Sequence, residues 1–173
     1  MLELPNSIRG DKEMVKGQTA SMEDYLEAIG MIGKGKRVVR VKELSQALGV
    51  KMPSITSALK KLSEQGLVEH ERYGYVTLTE EGNKIAADVI RRHETLSRFL
   101  AEILGVAPNI AQEDACKMEH SLSPTSLERL AKFLEFVLTC PRGEPVWLKG
   151  FDYYFEHGER SEEYLARCLR GEG

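Results

Sequence analysis

The chain has 173 residues and a formal net charge of −3, with 42% hydrophobic and 29% charged residues, which excludes a disordered chain and fits one ordinary domain or two small ones sharing a core. No apolar run reaches the roughly 18 residues of a membrane span, and the first residues lack the apolar stretch of a secretory signal. Three cysteines, at 116, 140 and 168, make no disulfide framework, so a reducing cytoplasm is the expected location.

Residues 1–20 show no periodicity and are read as a flexible lead-in. A helix is predicted to open at Ser21, because Met22, Tyr25, Leu26, Ile29 and Ile32 recur at helical spacing until Gly33 and Gly35 end the run. A second helix is expected from Val41 to Leu48, with Leu44, Ala47 and Leu48 on one face. Gly49-Val50 follows as a tight turn, since glycine tolerates the left-handed conformation. A third helix is predicted from about Pro53 to Gln65, with Ile55, Leu59 and Leu62 inward and Pro53 suited to the first turn. Leu67 to Arg72 and Tyr75 to Thr79 read as two strands bent at Tyr73-Gly74. Two short helices joined through a glycine, followed by a hairpin, make a winged helix-turn-helix over residues 21–85.

The charge is segregated. Between Lys34 and Lys61 there are eight bases and one acid, Glu43, so this segment carries +7 while the whole chain is acidic. Ser54, Thr56, Ser57, Lys60 and Lys61 fall on the outward face of the third helix. Small hydroxyl side chains let a helix sit close in the major groove, and lysines meet phosphates. With Lys51 and Pro53 at the start of that helix and Arg72 on the wing, they form the candidate DNA-contacting set. The alternatives are a solvated basic face, or a winged helix that binds protein.

Thr79-Glu80-Glu81 is a helix start, with a capping hydroxyl and acids in the first turn. This helix is predicted to continue to Leu104, with Ile85, Val89, His93, Leu96, Leu100 and Ile103 inward. His93 on that stripe, taken alone, reads first as a satisfied core histidine. After Gly105 to Pro108 comes a helix with Cys116, Glu119 and His120 at positions i, i+3 and i+4, which share a face. A thiol, a carboxylate and an imidazole are donors for divalent transition ions. Asp24 and Glu27 repeat the i, i+3 arrangement on the first helix. Asp24 also suits a capping box with Ser21, Glu27 a solvated face, and Cys116 a small buried hydrophobe.

Ser123-Pro124 starts a further helix, with the hydroxyl at the N-cap and proline at the first position. Leu127, Leu130, Ala131, Leu134, Val137 and Leu138, flanked by Phe133 and Phe136, give a wide apolar stripe, which suits a dimer interface or a plain core helix. Beyond residue 140 a tail carries Trp147, Phe151, Tyr153, Tyr154 and Phe155. Docking onto a dimer is one reading of it. The expected fold class is mainly α. The division is a lead-in (1–20), a winged helix-turn-helix (21–85), a helical metal-binding and dimerisation unit (86–140) and an aromatic extension (141–173) with no SH3-like domain.

The run from Ser21 to Glu27, the winged helix, Arg92-His93-Glu94 and the run from Glu113 to Ser123 together resemble the diphtheria-toxin-repressor family of iron- or manganese-activated regulators. The resemblance covers about residues 20–140. It implies a homodimeric, non-enzymatic repressor of metal-homeostasis genes that binds Fe(II) or Mn(II) and a palindromic DNA operator. Under it, Asp24 and Glu27 match the carboxylate pair of the manganese type, His93 the central histidine, and Glu119 and His120 the shared Glu-His pair. Cys116 agrees with the iron type, where the manganese type has Glu, and the iron type has Met in place of Asp24. The site is therefore a hybrid, and the sulfur of Cys116 tilts the expectation to Fe(II) over Mn(II). The ancillary site of iron members uses a Glu and a His. Ser97 and Gln112 stand at those positions here, so that site is expected to be absent in its usual form, although Glu27 could support a neighbouring ion. Two competing readings stay open: a metallohydrolase targeted by its winged helix, and a winged-helix regulator sensing oxidants through Cys116.

Overall fold

The computed structural model describes residues 20–36, 38–71, 74–141 and 146–170. The lead-in up to residue 19, Arg37, Arg72 and Tyr73 lie outside the described residues, and with them the expected DNA contact of Arg72. The described elements run α1 (Ala20–Gly33), β1 (Val39–Arg40), α2 (Val41–Leu48), α3 (Met52–Glu64), β2 (Val68–His70), β3 (Tyr75–Leu78) and α4 (Glu80–Arg98). A π-helical turn, Phe99–Ile103, follows, then α5 (Pro108–Met118), α6 (Pro124–Leu138), α7 (Val146–His157) and α8 (Glu162–Leu169). No helix among the described residues is long and apolar enough to cross a membrane.

Leu26, Leu44, Ile55, Leu59 and Leu62 are fully buried in one core with Val39, Val68 and Val76. Amphipathic helices with apolar residues three and four apart pack this way. Gly49, between α2 and α3, has φ +63°, the left-handed turn its sequence position called for. Ala47, expected on the inward face of α2, is exposed: that helix buries Val41 and Leu44 and tucks in Leu48 only partly. The wing is a three-stranded antiparallel sheet in the order β1-β3-β2, with Val68 opposite Leu78 and Val39 opposite Val76. β1 was not expected. Its two residues are too short to show alternation and are held by pairing to β3.

Thr79 caps α4: its hydroxyl accepts from the Gly82 N–H at 3.1 Å and donates to the Gly66 carbonyl at 2.8 Å. Ile85, Ala86 and Val89 of α4 complete the winged-helix core, whereas Leu96 packs with Ala115 and Leu127 in the body. α4 thus runs from one core into the other. α1 lies close against it at Gly30, where an added Cβ would come within 3.2 Å of the Ala86 Cβ. The π-helical turn replaces the regular helix expected up to Leu104, and it keeps Leu100 and Ile103 buried. Ile103 joins Leu134, Val137 and Leu148 in a further cluster, so α7 is docked on the body. On α6 the stripe is narrower than expected: Leu127, Leu134 and Val137 are buried, while Phe133, Leu138 and above all Phe136, 77% exposed, face outward.

Candidate metal centre and nucleic-acid interface

Three elements meet beside the α1–α4 crossing. α1 contributes Glu23, Asp24 and Glu27, α4 contributes Arg92 and His93, and α5 contributes Gln112 and Cys116. Glu119 and His120 were expected on the α5 helix itself. The helix ends at Met118, and these two occupy the turn beyond it, although the Glu119 N–H still donates to the Ala115 carbonyl at 2.9 Å. Asp24, Cys116 and Glu119 offer ligand atoms within 4.8 Å of one another, and so do Glu27, His93 and Glu119. His120 joins them: its Nε2 lies 2.8 Å from Asp24 Oδ1 and 3.3 Å from Glu119 Oε1. All six residues picked from the sequence as donors are therefore brought to one place, with Glu119 common to both groups.

Glu119 is wholly buried, and its Oε1 has no hydrogen-bond partner. A buried carboxylate oxygen left without a donor is costly unless a cation meets it. Burial, and then the charge of Glu27, push the Glu119 carboxyl up to about 7. Burial likewise raises Glu27, against the pull of His93. Crowded, desolvated carboxylates beside two imidazoles and a thiol form a donor set that fits a divalent transition ion.

Around the donors sits a ring of contacts that local sequence pattern did not show. His120 Nδ1 lies 2.8 Å from Glu23 Oε2, and Glu23 in turn pairs with Arg92 at 3.5 Å. Arg92 is anchored by Asp88 at 2.8 Å and donates to the Glu119 carbonyl at 3.4 Å. His93 Nδ1 lies 2.9 Å from Glu119 Oε2, and its Nε2 lies 2.7 Å from Gln112 Oε1. Burial draws both imidazoles down. The Gln112 bond and nearby carboxylates outweigh it at His93, and the bonds to Glu23 and Asp24 do so at His120, so both end above the ordinary histidine value. Arg92 stands next to His93 in the sequence, the one hint toward this ring, and Glu23 has no reading of its own apart from the run from Ser21 to Glu27.

Cys116 is exposed, yet partial desolvation of its thiol, followed by the charges of Glu119, Asp24 and Glu27, pushes it above its usual value. A thiol poised for oxidation is shifted the opposite way.

Within the winged helix, Lys51, Pro53, Ser54, Thr56, Ser57, Lys60 and Lys61 are all exposed on or just before α3. Thr56 Oγ1 donates back to the Met52 carbonyl at 3.0 Å, and Lys60 approaches Glu64 at 3.9 Å. The single acid of the basic segment, Glu43, is engaged with Lys36 at 2.9 Å and with the Arg40 N–H at 2.9 Å. The field around α3 is left basic.

Residues 18–76 match the family described as iron dependent repressor, N-terminal DNA binding domain, and residues 79–148 match iron dependent repressor, metal binding and dimerisation domain. An HTH-type transcriptional regulator of Methanocaldococcus jannaschii is 42% identical over 116 residues, 66% of this chain and 93% of that protein. The HTH-type transcriptional regulator MntR of Bacillus subtilis is 36% identical over 118 residues, 68% of this chain and 82% of its own length. A solved manganese-dependent transcriptional repressor in complex with manganese matches with TM-score 0.62 at 34% identity over 66% of this chain. The crystal structure of IdeR from T. acidophilum matches with TM-score 0.60 at 25% identity over 78% of it. The chain spans 53% and 60% of those two structures' chains.

Proposed function

The chain belongs to the iron-dependent repressor family of transcriptional regulators, which are not enzymes, and from that premise we propose that it is a metal-activated repressor binding a palindromic DNA operator as a homodimer. In this reading Asp24, Glu27, His93, Cys116, Glu119 and His120 hold a divalent transition ion, and Lys51, Pro53, Ser54, Thr56, Ser57, Lys60, Lys61 and Arg72 face DNA. Residues 21–85 form the DNA-reading unit and 86–140 the metal-binding and dimerising unit, with 141–173 as an extension. The regulated genes would be those of metal homeostasis, in the cytoplasm. The observation that carries the reading is the fully buried Oε1 of Glu119, which makes no hydrogen bond and has His120 Nε2 at 3.3 Å, beside donors drawn from both α1 and the body.

When bound, the ion supplies the positive charge that offsets the clustered carboxylates. Asp24 and Glu27 present oxygens from α1, while Tyr25, Leu26 and Ile29 of the same helix are buried in the winged-helix core. Holding the acidic face of α1 to His93, Glu119 and His120 therefore fixes the angle of α3 to the body. Coupling of this kind is typically worth about 1–3 kcal/mol, and it obliges operator DNA to tighten metal binding in return.

Both Mn(II) and Fe(II) suit the oxygen and nitrogen donors. The iron tilt expected from Cys116 finds no support among the relatives, since two of the similar structures are described as a manganese-dependent repressor and a manganese regulator. Cys116 is also the exposed member of its donor group. We therefore assign the site to Mn(II) or Fe(II), with the choice resting on that one sulfur. The raised thiol weighs against the oxidant-sensing alternative.

The test is selection of bound sequences from random duplex DNA with chelator, Mn(II), anaerobic Fe(II) or peroxide. A palindromic sequence enriched with metal and lost with chelator is expected. Equal binding in chelator and in metal overturns the mechanism, and a response to peroxide alone would favour the thiol sensor.

A further inference from the structure

The two imidazoles of the metal centre are held from behind by different groups: His120 by the Glu23 carboxylate, His93 by a neutral amide. Gln112 lies one helical turn before Cys116 on α5, and Ser97 one turn after His93 on α4, so each pair shares a face. Across the α4–α5 packing, Gln112 Oε1 lies 2.7 Å from His93 Nε2, and Gln112 Nε2 donates to Ser97 Oγ at 2.8 Å. Ser97 is one of the two buried polar side chains among the described residues, and Glu119 is the other. The opposite ring nitrogen, Nδ1, lies 2.9 Å from Glu119 Oε2, and Glu27 brings a carboxylate oxygen to the same cluster.

We infer that Gln112, held in place by Ser97, is a positioning residue that keeps a proton on Nε2 of His93 and so leaves Nδ1 as its metal-facing nitrogen. This rests on the metal-binding reading above. An amide oxygen accepts and cannot donate, so its bond to Nε2 exists only in the ring form that carries hydrogen there. Of the neutral ring's two forms, that is the one with its lone pair at Nδ1, toward the acids. Gln112 is exposed on its outer side, and without an anchor its amide would turn freely to solvent. Ser97 supplies the anchor from the buried side, so the ring orientation is set before any ion arrives. Partners of this kind characteristically change metal affinity about 10–100-fold when removed.

The variants are Gln112→Leu, which removes the acceptor and covers Nε2, Gln112→Glu, which keeps an acceptor, and Ser97→Ala, which releases the anchor. Each is titrated with Mn(II), and each is examined by long-range proton–nitrogen NMR of histidine-labelled protein, metal-free and loaded with Zn(II). In the unsubstituted protein the neutral His93 ring should carry its proton on Nε2, and Zn(II) should shift Nδ1. Gln112→Leu should populate the other ring form and weaken Mn(II) binding about 10–100-fold. Gln112→Glu should keep both the ring form and the affinity, and Ser97→Ala should fall between. Unchanged ring form and affinity in Gln112→Leu, in a protein that binds metal, overturn the inference alone. No metal binding by the unsubstituted protein overturns the metal reading and the inference together.

Discussion

Glu23 of α1 reaches the imidazole of His120, ninety-seven positions later in the chain, and its carboxylate lies 2.8 Å from Nδ1. The opposite nitrogen, Nε2, is thereby aimed at Asp24 and Glu119. A carboxylate behind a ligand histidine fixes its ring and raises its basicity. Glu23→Leu should therefore weaken Mn(II) binding about 10–100-fold, and Glu23→Gln, which keeps an acceptor, should recover most of it. Calorimetric titration reads both. Equal affinities of Glu23→Leu and the unsubstituted protein would show that this contact does not orient the ring.

The centre also sets a pH dependence. Glu119 is raised from 4.5 to about 7, and His93 and His120 are raised above 6.5. Each group keeps its proton in the folded chain at a pH where the unfolded chain has begun to release it. The stabilisation is complete below the unfolded values and is lost as pH rises through the folded ones. Metal-free protein should thus lose on the order of 1–3 kcal/mol from Glu119 alone between about pH 4.5 and 7. With saturating Mn(II) the trend should reverse, because bound donors must be deprotonated. Thermal unfolding across this range, with chelator and with metal, checks both, and a metal-free Tm that climbs steadily with pH contradicts the first.

At the DNA face, Lys60 is exposed and only loosely paired with Glu64. Lys60→Ala should weaken binding to operator and random duplex alike, and flatten the salt dependence by about one unit of log–log slope. Ser57→Ala should instead alter preference among operator variants. Binding measured over a salt series decides; an untouched slope in Lys60→Ala would mean that this side chain meets no phosphate.

Metal selectivity turns on Cys116. Thiolate favours softer ions, whereas Mn(II) sits lowest in the divalent series and prefers oxygen. Cys116→Glu should improve activation by Mn(II) relative to Fe(II), and Cys116→Ala should weaken both. Anaerobic operator binding against each free ion gives the midpoints, and an unchanged ratio in Cys116→Glu removes Cys116 as the selector.

Assembly should depend on the uncovered aromatic face. Phe136 is 77% exposed, and Phe133 meets Trp147 in a tilted ring contact at 6.3 Å, both only partly exposed. If that face carries the homodimer, Phe136→Asp should shift sedimentation at micromolar concentration toward the monomer and lower operator affinity, with Mn(II) binding retained. A dimer that withstands this change would move the interface elsewhere on the body.

The helical periods of α1, α3, α4 and α6 were legible because each buries one stripe, and a stripe is a local property of sequence. The six donor residues were legible one by one as types and spacings; their convergence required the resemblance. What stayed hidden has no local signature. The Glu23–His120 and His93–Gln112 contacts join residues far apart, β1 exists only through its pairing with β3, and the turn at Phe99–Ile103 departs from a pattern that reads as plain helix. Ala47 was misplaced because α2 is too short for its stripe to be wider than two residues and an edge.

Because α4 supplies Ile85, Ala86 and Val89 to the winged-helix core, the DNA-reading half cannot be cut from the rest at the end of its wing. A fragment stopping at residue 79 would uncover the part of α1 that packs on α4, and at Gly30 it would lack the neighbour against which that helix is fitted. The smallest piece able to stand alone must keep the first three turns of α4, to about residue 90. His93 lies just past that point, so such a piece would retain the reading head and lose the histidine that α4 contributes to the metal centre. It would be a reader deaf to the ion.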